Sequence, residues 1–238
     1  MLTLITPSGL ISPRTMASTL EDMLRRDIIT GALVPGSRLG VKELGERYEA
    51  GAIPLREALS RLCATGLVLA VDQKGFRVAD VSLEELADIT ETRQEIERLA
   101  IVRAIRRRDP TWEGELLSAH HQLQRISVYE PQDSDRLNPE WERAHNRFHE
   151  VLTAGCRSEW LTHFASMLRD HTARYRHLSA TAPHAHDRNV ADEHDAIVQA
   201  VLSHDVELAS LLLVEHFGRT MKLVAAALNL TLTKDKSI

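Results

Sequence analysis

Two histidines four residues apart, His145 and His149, stand in a stretch (residues 141–152) of good helix formers with an apolar stripe. On an α-helix that spacing puts both imidazoles on one face, a turn apart, where they can share a metal ion or a buried ligand. Two further histidines, His194 and His216, fall in two later segments of helical pattern. If the four converge, they make a ligand-sensing pocket inside a helical bundle. The spacing His145-Asn146-Arg147-Phe148-His149 also fits a zinc peptidase, but it puts Asn146 where the general-base glutamate belongs. A metal-dependent hydrolase using the cluster is therefore the alternative reading.

The elements that must position these residues divide in two. Residues 1–80 balance at +1 and hold no histidine, whereas the remainder balances at −6 and carries all 12. A near-neutral front and an acidic, histidine-rich back suggest two domains with different tasks. Aromatic content of 4% means that aliphatic residues must pack both cores. No apolar run approaches the ~20 residues of a membrane span. Residues 1–14 contain Pro7 and Pro13 with no basic residue before Arg14, unlike a secretion signal. Cys63 and Cys156 sit in separate helical patterns, which favours free thiols and a cytoplasmic location.

In the front part, helical periods span residues 15–30, 41–48 and 53–65, with Gly31 and Gly66 as stops. Residues 67–71 and 76–79 read as two strands around the turn Asp72-Gln73-Lys74-Gly75. Three helices and a hairpin outline a winged helix-turn-helix. In that plan the third helix enters the major groove. Its face opposite Leu55, Leu59 and Leu62 offers Arg56, Ser60 and Arg61; Lys42 opens the second helix, and Lys74, Gly75 and Arg77 form the wing tip.

From Ser82 onward the pattern is helical. Ser82 with Glu85 is a capping box that opens a long helix to about residue 108, and Asp109-Pro110 opens another. Residues 128–139, polar and carrying Pro131 and Pro139, read as a loop. Further helices are expected over 140–155, 158–177, from Asp187 or Asn189 to about 203, and over 205–228, with a loop at 181–186. The expected fold is mainly α: a winged helix-turn-helix at 15–80 and an all-α antiparallel bundle at 81–230, between tails at 1–14 and 231–238.

The order of residues carries more. Gly31-Ala32-Leu33-Val34-Pro35-Gly36-Ser37-Arg38-Leu39, Pro54-Leu55-Arg56-Glu57-Ala58-Leu59-Ser60-Arg61-Leu62, Thr65-Gly66-Leu67 and Gly75-Phe76-Arg77-Val78 together resemble the GntR family of bacterial transcription regulators. The resemblance implies double-stranded operator DNA as partner, contacted by Lys42, Arg56 and the segment Lys74 to Arg77. Where the family has Ser or Thr and then a base-reading arginine, this chain has Gly51 and Ala52. A bidentate Arg–guanine contact is worth roughly 1–3 kcal/mol of discrimination, so the operator cannot be carried over from relatives.

The second part resembles the FCD ligand-binding domain of the FadR subfamily. Glu91-Thr92-Arg93 with Ile96-Glu97, Phe148-His149-Glu150-Val151-Leu152, Glu193-His194-Asp195-Ala196-Ile197 and Glu215-His216 carry that resemblance. It implies metal ligands at His149, His194 and His216, with His145 at the position where the family has aspartate. Four imidazoles suit zinc, with nickel as the alternative, and leave a net positive site for an anion; the other readings are that His145 is a hydrogen-bonding pocket residue and three histidines suffice, or that no metal binds. It further implies a homodimer and a repressor released by a small carboxylate effector. Arg93 would hold that carboxylate, although an ion pair with Glu97 is the simpler reading of Arg93. Arg174-Tyr175-Arg176 with Trp160 and Leu161 resembles a branch that includes a carbon-starvation-induced repressor; there Tyr175 is expected in the pocket. Asn146 and the remaining histidines (His120, His121, His163, His171, His177, His184, His186 and His204) are expected on surfaces or loops.

Overall fold

The computed structural model describes residues 15–179 and 188–235, and the chain splits into two compact units. The expected tail at 1–14, the loop at 181–186, and His184 and His186 lie outside the described residues.

The first unit contains α1 (Met16–Ile29), β1 (Arg38–Leu39), α2 (Val41–Arg47), α3 (Ala52–Ala64), β2 (Val68–Val71) and β3 (Gly75–Val78). Leu20, Leu24 and Ile28 recur at helical spacing on α1 and bury against Leu44 of α2 and Leu55, Leu59 and Leu62 of α3. Strands β2 and β3 form the expected hairpin. Its turn closes with Lys74 N–H on the Val71 carbonyl at 2.9 Å, and Gly75 supplies a φ of 90°. The sequence reading lacked β1, which pairs with β3 through Arg38↔Arg77 and Leu39↔Phe76, giving the order β1-β3-β2.

The second unit contains α4 (Leu83–Arg107), α5 (Pro110–Gln124), β4 (Tyr129–Glu130), β5 (Asp133–Leu137), α6 (Pro139–Ala154), α7 (Glu159–Ser179), α8 (Val190–Leu202) and α9 (Val206–Asp235). Helix α4 packs on α7 and α9, α5 on α6, and α8 on α9. Ser82 caps α4 by accepting the Glu85 N–H at 3.0 Å. The reciprocal arm expected of Glu85 is absent: the Tyr175 hydroxyl meets the Ser82 N–H at 3.2 Å, and the Glu85 carboxylate binds Tyr175 and Arg174.

Two corrections follow for this unit. Within residues 128–139, expected as a loop, β4 and β5 form an antiparallel hairpin, with Tyr129 opposite Leu137. Helix α9 continues to Asp235, past residue 228 where the sequence pattern ends it.

The core joins α5 to α6 through Trp112, whose indole N–H reaches the Val151 carbonyl at 2.7 Å. Gly155 allows this: a Cβ there would sit 2.5 Å from the Trp112 ring. The substitution Gly155→Ala is expected to displace that ring and cost ~1–3 kcal/mol, as overpacking does, read as a lower urea midpoint. An unchanged midpoint would show that α6 can shift freely at this end.

Candidate metal centre and nucleic-acid face

The second unit brings four imidazoles together. His145 and His149 come from α6, His194 from α8 and His216 from α9, all buried. One candidate ligand atom from each lies within 4.8 Å of the others. His145 and His149 approach through their Nε2 atoms at 3.2 Å, and Trp141 stacks on His145 with ring centroids 4.6 Å apart. Buried His194 Nε2, His145 Nδ1 and His149 Nδ1 have no hydrogen-bond partner. Ligands of one zinc ion, bound at about 2.0–2.1 Å, stand at most ~4.2 Å apart, so a small contraction would close the set.

Carboxylates stand behind two of the rings. His216 Nδ1 meets Glu193 at 2.8 Å, and Glu193 is held by Arg188 through contacts of 2.8 and 2.6 Å. His149 Nδ1 lies 4.0 Å from Glu97, which pairs with Arg93 at 2.6 Å. Carboxylates in this position fix the tautomer and orientation of metal-binding imidazoles.

Burial, reinforced by neighbouring cations, drives His145, His149 and His194 well below 6.5. Burial also takes His216 down to about 4, against the opposing hydrogen bond that its ring donates to Glu193. Glu193 is itself held well below its ordinary value: burial would raise it, but hydrogen bonds from Arg188 and His216 prevail. The four rings are thus neutral at pH 7, the form in which imidazole binds a metal.

A cavity of about 50 Å³ adjoins the cluster, with His145 and His216 in its wall beside Trp141. Tyr129 and Leu137 reach it from the β4–β5 hairpin. Arg176 and Arg188 also line it. Arg176 is anchored by Glu142, with its Nε at 3.1 Å, and by Asn146 at 3.0 Å. Arg188 also reaches Thr220 at 2.9 Å and the His216 carbonyl at 3.1 Å.

Some sequence expectations need correction. Tyr175 is not in the cavity wall; it is buried with Leu86, Ile89, Val224 and Leu228 and ties α7 to the start of α4. Its neighbour Arg176 lines the cavity instead. Arg93 is paired with Glu97 and lies 4.0 Å over the Phe217 ring, outside the cavity lining, although its Nη2 has no partner. Burial lowers its guanidinium to about 10, which leaves it charged at pH 7. Asn146 is half-buried and engaged, not a surface residue. His120 is buried against Phe148, 5.8 Å between ring centroids. His121 and His163 are exposed, while His171, His177 and His204 are half-buried.

Sequence reasoning passed over Arg188 entirely. Arg169, Thr172 and Arg176 repeat at i, i+3 and i+7 on α7, but with Thr172 to Arg176 all buried that spacing does not single out Arg176.

In the first unit, exposed Arg56 of α3 shares one groove with Arg38 and with Lys74 and Gly75 of the turn, and a second groove with Lys42. Among the described residues none of these four cations has an ion-pair partner. Arg38 was not singled out from sequence. Ser60 is exposed. Arg61 departs from expectation: it is held by Glu57 at 2.6 Å and by Ser18 and Glu21 of α1. Arg77 is half-buried on the central strand.

Comparison with known proteins agrees with both halves. Residues 16–78 match the family described as "Bacterial regulatory proteins, gntR family", and residues 88–219 match the "FCD domain". The chain belongs to the GntR family of bacterial transcription regulators, with a C-terminal FCD domain, and its relatives are regulators and not enzymes. It is 35% identical to the "Uncharacterized HTH-type transcriptional regulator BphR" of Paraburkholderia xenovorans (strain LB400), covering 92% of this chain and 89% of that one. It is also 35% identical to the "HTH-type transcriptional repressor GlaR" of Escherichia coli (strain K12), over 86% of this chain and 94% of the relative. The solved structure titled "E. coli McbR/YncC" shares the fold with a TM-score of 0.74 at 22% identity, covering 90% and 98% of the two chains. The hydrolase alternative finds no support in the family, and Asn146 is committed to Arg176. No described helix is long and apolar enough to cross a membrane.

Proposed function

We propose that this regulator is a cytoplasmic repressor that acts as a homodimer on double-stranded operator DNA and is released by a small carboxylate. The observation that carries this reading is the four-imidazole cluster opening on a cavity lined by Arg176 and Arg188. His145, His149, His194 and His216 would hold a divalent transition metal, zinc by preference and nickel as the alternative, since neutral nitrogen donors suit both. Such an ion would supply a coordination position for a carboxylate oxygen. The two guanidiniums favour the same anion, and the apolar wall of Trp141, Tyr129 and Leu137 would take its carbon chain. Arg93, outside the lining, would act through Glu97 and His149. Repression is supported by the similarity to GlaR, which is named a repressor.

Metal analysis of the purified protein, followed by a thermal-shift screen of mono- and dicarboxylates with and without chelator, tests the pocket. A ligand at 100 times its Kd adds about 2.7 kcal/mol to folding stability. The expected result is a carboxylate shift that chelator abolishes; no shift in either condition would overturn the reading.

On the DNA side, Lys42, Arg56 and Lys74 are proposed to reach the duplex, with Arg38 added and Arg61 removed from the set. Lys42→Ala is expected to weaken binding about equally across sequences and reduce the salt slope by about 1. Arg61→Ala should leave affinity near wild type. A titration at several salt concentrations checks both; a larger loss for Arg61→Ala would restore it to the interface.

A further inference from the structure

The first turn of α3 is bare. It opens with Ala52, Ile53 and Pro54, and its preceding Gly51 offers no side-chain cap. None of these side chains carries a hydrogen-bond donor or acceptor. Ile53 is 83% exposed, the highest value among the exposed large hydrophobic residues described. Single exposed apolar residues are common and by themselves mean nothing. This one stands where a recognition helix presents its N-terminal residues to base edges. Its neighbour Ala52 lines one groove with Glu46 and with Lys42 and Arg56, the residues suited to phosphates.

The base edges of the major groove narrow the choice. Guanine and adenine are read by donors and amides, and cytosine by an acceptor, none of which this turn has. Thymine alone offers an apolar group, its 5-methyl. An isoleucine on a helix is held largely to one χ1 rotamer, so it loses little freedom on contact. We propose that Ile53, flanked by Ala52, reads a thymine methyl in each half-site, in place of a polar base contact. The inference rests on the DNA-binding reading of α3 and names its specificity.

The test uses the full-length protein and duplexes enriched from a random-sequence library. Each thymine of the enriched half-site is replaced in turn by deoxyuridine, which removes only the methyl. At one or two positions this should weaken binding about fourfold, the loss expected for one buried methyl group. Ile53→Ala should weaken binding to the thymine duplex and abolish the thymine-over-uracil preference. Arg56→Ala should weaken both duplexes alike. Enriched duplexes that depend on Arg56 yet tolerate every uracil overturn this inference alone, as does a methyl preference that survives in Ile53→Ala. Failure to enrich any duplex overturns the operator reading of α3 together with it.

Discussion

Acidifying the metal-free protein should unfold its second unit within about one to two pH units below 6.5, the ordinary histidine value. His145, His149, His194 and His216 are buried and neutral in the folded chain. In the unfolded chain each takes up a proton near 6.5. Below that pH the unfolded state binds more protons, so stability falls as pH falls. For His216 the fall runs from 6.5 to about 4 and amounts to ~3 kcal/mol. The other three are driven lower and go on losing stability through the same window. Four protons correspond to a slope of ~5 kcal/mol per pH unit, against a total stability of roughly 5–15 kcal/mol for a domain. Glu193 adds a later loss, because its carboxylate is held below the ordinary range and must protonate in strong acid. Urea midpoints between pH 7.5 and 5.5 measure the slope. His216→Asn should reduce it by about one proton, and excess zinc should move the acid transition to lower pH, because metal and proton compete for the same nitrogens. A midpoint that stays flat across this range would mean that the rings are solvated or already charged.

The legibility of this site in the sequence varied with how local its cause is. His145 and His149 could be paired because the helical period is a local property and α6 keeps one exposed side to set its phase. Helix α7 has no such phase marker near its end: Thr172, Ala173, Arg174, Tyr175 and Arg176 are all buried. With every side covered, periodicity could not say whether Tyr175 or Arg176 meets the cavity, and a rotation of about 100° separates them. Arg188 carries no local signal, since its role arises from Glu193, Thr220 and His216 on other elements. The β4–β5 hairpin was hidden by composition. Asp133 and Arg136 are polar, and Pro131 sits in its turn, so only the pair Tyr129 and Leu137 marks an apolar side. β1 is two residues long, too short for any alternation to appear. Arg61 shows the opposite limit: its place on α3 is local, but its commitment to Glu21 is made by packing against α1.

Removing the carboxylate of Glu97 should be among the most damaging single changes in the protein. Glu97 and Arg93 are buried, at 0% and 3% side-chain exposure, and joined at 2.6 Å. Glu97→Ala leaves the guanidinium inside the bundle without its counter-charge, which typically costs ~3–5 kcal/mol. The pair is not thereby a source of stability, because burying both charges is itself costly. Replacing both members, as in Arg93→Met with Glu97→Met, should therefore recover most of that loss. The double variant separates two roles that a single substitution confounds. If Glu97 orients His149 toward a metal, the recovered fold should still bind zinc about 10–100-fold more weakly, the usual effect of losing such a partner. Equilibrium unfolding of the metal-free variants gives the stability term, and zinc competition with a chromogenic chelator gives the affinity term. Glu97→Ala at wild-type stability would show that water reaches Arg93. A double variant with wild-type zinc affinity would show that the 4.0 Å approach of Glu97 to His149 has no bearing on the metal.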